Sequence, residues 1–284
     1  MKLLESYDEY TDMIREFREI CKRPFSNLYC TPDDMKRYIQ LGRVSYEKTA
    51  NSIIFYFDEE TYYRVCFYVD EKNKFTISPQ NKKILIRNVY KKKEKKENLR
   101  CVEEQLTELG FRNSGTTVGI HGEVQKLFQR CERIEKYEKA LEKKGYRCIA
   151  ADPSLFDEID KIVVDSGVIK DYQIDYRTYE EKKNLEKGSY LCIVDSNNQI
   201  CAVSVCVIKD GVAKGVATAV KEEYKMQGLA PVLTYHRFKW LRDNGIESLQ
   251  AWILTSNEPS LWYHESLGYT FLSKYADEWI LDAK

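Results

Sequence analysis

The chain has 284 residues, and its 45 Lys and Arg balance 45 Asp and Glu to no formal net charge. That balance offers no global field to nucleic acid or to an anionic membrane, and no apolar run approaches the roughly 20 residues of a spanning helix. With 43% hydrophobic and 32% charged residues, the composition is that of a folded chain of about two domains.

Nine cysteines are present: Cys21, Cys30, Cys66, Cys101, Cys131, Cys148, Cys192, Cys201 and Cys206. Their number is odd, no C-x-x-C occurs, and Cys66, Cys192 and Cys206 lie in apolar strand-like runs. They read as small buried hydrophobes in a reducing compartment. With only His121, His236 and His264, no metal site is expected. The opening MKLLESYDEY turns acidic too early for a signal peptide, so a cytoplasmic protein is expected.

In chain order, Tyr10, Met13, Ile14, Phe17 and Ile20 recur at helical spacing. Thr31-Pro32-Asp33-Asp34 starts a second helix, with a capping hydroxyl, a first-turn proline and acids at the positive dipole end. Gly42 stops it. Residues 52–60, 62–70 and 83–90 read as strands, and 99–109 as a helix closed by Gly110. The basic run 91–97 (Lys-Lys-Lys-Glu-Lys-Lys-Glu) attracts phosphate in principle. Its glutamates and its lack of interleaved aromatics favour a solvated loop or helix start. Residues 124–144 read as one long helix with Val124, Leu127, Phe128, Cys131, Ile134 and Leu141 on a stripe. Glu132 with Lys136 and Glu135 with Lys139 sit four apart in the favourable order. Gly145 ends this helix, and the domain boundary is placed there.

Residues 146–151 then read as a strand, and Asp152-Pro153 starts a helix with Leu155, Phe156, Ile159, Ile162 and Val163 inward. Strands 189–194 and 200–209 are joined by a turn cluster at 195–198. Asp210-Gly211 turns the chain into strand 212–220. Gly228, small Ala230 and first-turn Pro231 open an amphipathic helix over 229–244, with Leu229, Val232, Leu233, His236, Trp240 and Leu241 on one side. A strand that delivers free N–H groups to a helix N-terminus makes a phosphate site. Strand 248–254 follows. A last helix starts near Asn257, carries Trp262 and Tyr263, and ends at Gly268. Residues 269–274 and 278–281 read as a closing hairpin. The fold class is α/β (α+β): a mixed, mostly antiparallel sheet flanked by helices.

KEEYKMQGLAP followed by NEPSLWYHESLGYTF resembles the GNAT superfamily of acyl-CoA N-acyltransferases. The first string is similar to that family's pyrophosphate loop, Q/R-x-x-G-x-G/A, with Lys225, Gly228 and Ala230 at its fixed places. The second is a looser form of the motif N-x-x-A-x-x-x-Y-E-K-x-G-F, in which Asn257, Glu265, Gly268 and Tyr269 take the matching places and Tyr263 stands one residue before the motif's Tyr, at whose place His264 lies. Lys225 replaces the usual Arg or Gln, and Ser260 stands where Ala is common. The resemblance covers the last half of the chain. It implies acetyl-CoA as co-substrate and an amine of a small molecule or peptide as acceptor, attacked directly. It further implies that the backbone of Thr218, Ala219 and Val220 pairs with the pantetheine arm. The amides of Met226, Gln227, Gly228, Leu229 and Ala230 would hold the pyrophosphate, with Lys225 adding charge and Asn257 completing the set.

By the same resemblance Tyr263 is the general acid for the departing thiolate. A phenol of pKa about 10 is protonated at neutral pH and suits a thiolate of similar basicity. The competing reading is a core tyrosine with a satisfied hydroxyl. Strand 212–220 holds no carboxylate, so the family's common strand glutamate has no counterpart. A water-mediated base, or one from the acidic stretch between Asp171 and Glu181, stays open. That stretch, with Asp165, Asp175 and Glu180 and with Tyr172, Tyr176 and Tyr179, would border the acceptor and favour a cationic amine; a solvated loop is the alternative.

The first 145 residues run in a similar order of helices, strands and helix. They are expected to be a degenerate tandem copy, giving domains 1–145 and 146–284. With no glycine in the 91–97 run, read as its phosphate loop, that copy is expected to bind no cofactor. Two other classes stay open: a non-catalytic acyl-CoA sensor or scaffold, and an aminoacyl-tRNA-dependent transferase of the same fold, which the neutral charge opposes. No nucleic acid or membrane partner is expected, and the oligomeric state is not indicated.

Overall fold

The computed structural model describes residues 1–22, 24–70, 73–91, 98–167, 190–209 and 211–283, without the side chains of Asn98, Glu132 and Lys209. Two compact units emerge, Met1–Thr117 with Ser273–Lys284, and Val118–Leu272. The division therefore falls at Val118 and again at Ser273, where the sequence reading drew one line at Gly145.

In the first unit, β1 (Lys2–Leu3) precedes α1 (Tyr7–Ile20), whose start is fixed by Ser6 accepting the Glu9 N–H. Met13, Ile14 and Phe17 are buried on one helical face, while Ile20 of the expected stripe is exposed. Thr31 caps α2 (Pro32–Gln40) as its sequence requires. Between the two helices lies β2 (Phe25–Ser26). Strands β3 (Val44–Lys48), β4 (Ser52–Asp58) and β5 (Tyr62–Val69) pair antiparallel in turn, β1 joins β3, and β2 joins β5. β5 then runs parallel to β6 (Lys83–Lys91) from Tyr62/Lys83 to Val65/Ile86, where their register ends. After α3 (Asn98–Glu108), strand β7 (Arg112–Glu123) leaves the unit at Thr117. Alternation along β4 sends Ile53, Phe55 and Phe57 toward α1 and α2, and Ile54 and Tyr56 toward a second core with Val102 and Leu106 of α3.

The second unit takes the end of β7 and then α4 (Val124–Cys131) and α5 (Glu135–Glu142), with a 3-10 turn at Glu132–Ile134 between them. The single helix expected over 124–144 is thus broken. Its apolar stripe lapses after Ile134, where Glu138 instead meets His236. Next come β8 (Arg147–Ala150), α6 (Phe156–Asp165), β9 (Tyr190–Val194), β10 (Ile200–Lys209), β11 (Val212–Val220), α7 (Leu229–Asp243), β12 (Ser248–Leu254), α8 (Glu258–Leu267) and β13 (Thr270–Leu281). The strand order is β7-β12-β11-β10-β9-β8. All pairs from β8 to β11 are antiparallel, and β11 with β12 is parallel.

Both units therefore share one order: a first strand, helical turns, three antiparallel strands, and a parallel pair that parts after a few residues. The first unit lacks the helix that α7 supplies, because described residues 73–82, between β5 and β6, contain no helix. This corrects the sequence reading of the first copy. The 91–97 run, read as its phosphate loop, joins β6 to α3 and does not follow the parallel pair of β5 and β6; 92–97 lie outside the described residues.

The closing hairpin is also corrected. β13 is one unbroken strand, and Tyr275, Ala276 and Asp277, read as its turn, pair with Tyr90, Val89 and Asn88 of β6 in the first unit. Asp277 is buried and accepts the hydroxyls of Tyr90 at 3.2 Å and Thr116 at 2.5 Å, so this acid serves a strand interior. β3 and β7 were not foreseen: SYEK and RNSGTTVG carry too few apolar residues to announce a strand. None of the nine cysteines is in a disulfide, and five of them are buried. Among the described residues no helix is long and apolar enough to cross a membrane, and no cluster of His, Cys, Asp or Glu is placed to hold a metal ion.

Candidate active site

The site is built on β11 and on the two helices that follow it. β11 pairs with β12 only at Val212, Ala213 and Lys214. On its other side the register with β10 jumps, Val205 facing Ala217 and Cys206 facing Gly215. Val216 is thus an extra residue, a β-bulge one position past Gly215, with an exposed side chain. A bulge unpairs the backbone and re-aims the strand. No period-two pattern in strand 212–220 reveals it.

Downstream, Thr218 has its hydroxyl against Ser204 and Arg237, and Ala219 is buried against α6. Val220 is half-buried, near Leu229 and Val232. The loop then makes a short 3-10 turn at Glu222–Tyr224. Two of its residues are left-handed, Met226 with φ 61° and Gly228 with φ 81°. Met226 is fully exposed, and a Cβ on Gly228 would meet nothing within 4 Å. Gly228 is the N-cap of the 15-residue α7, and no side chain caps that end. The first-turn N–H groups of Leu229 and Ala230 therefore lack a side-chain acceptor, at the end where the helix dipole favours negative charge. Such an end is suited to an anion.

Two loop residues are engaged within the protein. The Lys225 ammonium forms an ion pair with Glu222. The Gln227 side-chain carbonyl accepts the Tyr146 hydroxyl at 2.8 Å. Asn257 sits at the N-cap of α8, accepting the Ser260 N–H at 3.1 Å, and Gly268 closes that helix in a left-handed conformation.

Tyr263, six residues after Asn257, faces α7. Its hydroxyl donates to the Thr234 hydroxyl at 3.2 Å, and Thr234 donates to the Ala230 carbonyl at 2.9 Å. Burial pushes the phenol above its ordinary pKa, opposed by the Thr234 hydrogen bond and the nearby Arg237 charge. His264 beside it is tied through Nδ1 to the Ser260 carbonyl at 2.7 Å. Its pKa is lowered, chiefly by burial.

Sequence periodicity missed the polar side of α7. Thr234 and Arg237 are buried along with Tyr235 and Phe238, while His236 and Trp240 of the expected stripe are only half-buried. The guanidinium of Arg237 donates to the hydroxyls of Thr218 at 3.1 Å and Ser204 at 3.3 Å. The acidic and tyrosine-rich stretch expected near the acceptor lies, apart from Asp165, outside the described residues.

Residues 156–269 match the model of the acetyltransferase (GNAT) family. Among solved structures, the chain is similar to a tandem GNAT protein from the clavulanic acid biosynthesis pathway, without AcCoA (TM-score 0.56, 10% identity, 99% of this chain and 97% of that one). A GCN5-related N-acetyltransferase from Sphaerobacter thermophilus gives 0.53 at 9% identity, over 96% and 91%. A conserved protein of unknown function from Staphylococcus epidermidis gives 0.54 at 11% identity, over 84% and 93%. At such identities the likeness is one of fold. No curated protein matches the sequence.

Proposed function

We propose, from the match of residues 156–269 to the acetyltransferase (GNAT) family model, that the protein transfers an acyl group, acetyl above all, from coenzyme A to an amine of a small molecule or peptide. One arrangement carries this reading: a strand that parts from its neighbour at Lys214, bulges at Val216, and feeds a left-handed loop into the uncapped end of α7. The β11 edge at Thr218, Ala219 and Val220, beyond its last pair with β12 at Lys214, is the surface for the pantetheine arm. The amides from Met226 to Ala230 are the donors for the pyrophosphate, and Lys225 adds charge once it leaves Glu222.

The acceptor must attack as a neutral amine, and its proton passes to water or to a base not among the residues assigned here. Tyr263 gives its proton to the thiolate as the C–S bond breaks, and solvent restores it. Thr234 fixes the phenol's orientation by accepting its O–H in the resting enzyme. The first unit is read as a tandem copy without a cofactor site, and the protein as cytoplasmic.

Incubating the protein with acetyl-CoA and a panel of amines, with free thiol as the readout, tests the function. Amine-dependent thiol release is expected. Tight binding of acetyl-CoA with no release for any amine would leave a sensor or scaffold instead.

A further inference from the structure

Arg237 is a buried cation that lacks an anion. Its side chain is 7% exposed, its partners are the two neutral hydroxyls of Ser204 and Thr218, and its Nε has no hydrogen-bond partner. Among the described residues no carboxylate is ion-paired with it. Keeping a guanidinium in such surroundings costs several kcal/mol unless an opposite charge is present for part of the working cycle. Arg237 lies three residues after Thr234 on α7, so both project from one face of the helix. Thr234 is the residue that holds the Tyr263 hydroxyl.

We infer that Arg237 is the counter-charge for Tyr263, a positioning residue that stabilises the phenolate left when Tyr263 has protonated the thiolate. The inference rests on the acyltransfer reading above. The balance of the step is simple. The Tyr263 O–H bond breaks, an S–H bond forms on coenzyme A, and the negative charge moves from sulfur to a phenolate beside the guanidinium. A proton from solvent then restores the phenol.

The neighbouring titratable groups leave Arg237 as the charged one. Burial pushes the thiols of Cys131 on α4 and Cys206 on β10 up to about 11, and raises the phenol of Tyr269. Burial lowers the pKa of His264. Tyr263 itself is buried enough to be a poor acid alone; the cation opposes that penalty.

The test uses the full-length protein and two readouts. With tyrosine ring-carbon labelling, NMR titration follows the Tyr263 resonance, assigned by its loss in Tyr263→Phe. In Arg237→Met this resonance should titrate at higher pH than in the parent, and Arg237→Lys should restore most of the shift. This readout does not depend on turnover, so it separates the pairing from the acyltransfer reading. In turnover with acetyl-CoA, Arg237→Met should lose about tenfold or more in kcat with KM for acetyl-CoA little changed, and should lose nothing further in a Tyr263→Phe background.

An unmoved Tyr263 titration in folded Arg237→Met, checked by thermal melting, overturns the pairing. So does an additive loss in the double variant. A third outcome also overturns it: a loss confined to succinyl-CoA, with acetyl-CoA turned over as before, which would assign the guanidinium to a carboxylate on the acyl chain.

Discussion

The side-chain carbonyl of Asn27 accepts the backbone N–H of Phe67 at 2.8 Å, at the place where β5 and β6 cease to pair. The same amide donates to the carbonyls of Val65 on β5 and Arg87 on β6, each at 3.4 Å, and Asn27 is buried. Beside it, Phe25 and Ser26 pair with Val69 and Tyr68. Tyr29 reaches the Val89 carbonyl at 2.8 Å. The first unit has thus filled its own parting strands with residues 25–29, using the backbone edge that the second unit keeps for pantetheine in the proposed function.

A single acyl-CoA site per chain follows. Titration calorimetry with acetyl-CoA should return a stoichiometry near one. Asn27→Leu should unfold at lower denaturant, by about 2–3 kcal/mol, because it strands a buried N–H and two carbonyls. Two sites in the unaltered protein would exclude this account of the first unit.

Gly228 has φ 81°, and its missing Cβ would meet no protein atom within 4 Å. The cost of replacing it therefore comes from the backbone, since a β-branched residue is strongly disfavoured in the left-handed region. Gly228→Val should weaken acetyl-CoA binding about tenfold or more. Gly228→Asn, which tolerates that region better, should lose much less. Equal affinities for the two variants would show that the loop conformation is not what binds.

Lys225 is held by Glu222 in a pair that is largely solvent-exposed. Such pairs are worth about 0–1 kcal/mol, so little is needed to turn the ammonium toward a phosphate. Glu222→Gln frees it and removes a repulsive charge. The Kd for coenzyme A should fall by about two- to fivefold at low salt, and the gain should fade as ionic strength rises. A salt-independent change, or none, would mean that Lys225 does not face the ligand.

Trp279 lies in the core of the first unit with Ile86, Val102, Leu106 and Phe111. Trp279→Ala should cost about 3–5 kcal/mol in chemical denaturation. A loss below about 1 kcal/mol would indicate that β13 frays from β6.

What the sequence revealed was what local chemistry determines. Thr31-Pro32, Asn257 and Gly268 mark helix ends because capping and left-handed backbone are properties of a few adjacent residues. Gly228 announced the loop for the same reason. Hidden were the features that depend on distant partners. The bulge at Val216 is a mismatch of register between two strands, and neither strand alone carries it. Arg237 went unmarked, because periodicity counts apolar positions and cannot see the Ser204 and Thr218 hydroxyls that accept from it. Asp277 looked like a turn because its acceptors' partners, Tyr90 and Thr116, are more than 160 residues away. The first copy's loop was misplaced for a related reason: β5 and β6 pair in parallel, yet the described residues between them include no helix to signal a crossover.

Tyr263 poses the sharpest test, because the core reading and the acid reading predict different consequences of removing one oxygen. The ring packs with the apolar cluster of Phe238, Leu267 and Tyr269, so Tyr263→Phe keeps its packing. The loss is one hydrogen bond to Thr234, which still donates to the Ala230 carbonyl and is left without a buried unsatisfied donor. Stability should therefore drop by no more than about 1 kcal/mol. Binding of acetyl-CoA should stay within about twofold, since the loop and α7 are untouched. Turnover is another matter. Without the phenol the thiolate must leave unprotonated or wait for water, and kcat should fall about 10²-fold or more. Burial holds the phenol's pKa above its ordinary value, so Tyr263 remains protonated well above neutral pH. Its deprotonation should appear as an alkaline limb in the pH profile of the parent, and Tyr263→Phe should lack it. A variant that keeps the parent rate and the same alkaline limb would return Tyr263 to the core and leave the thiolate to solvent.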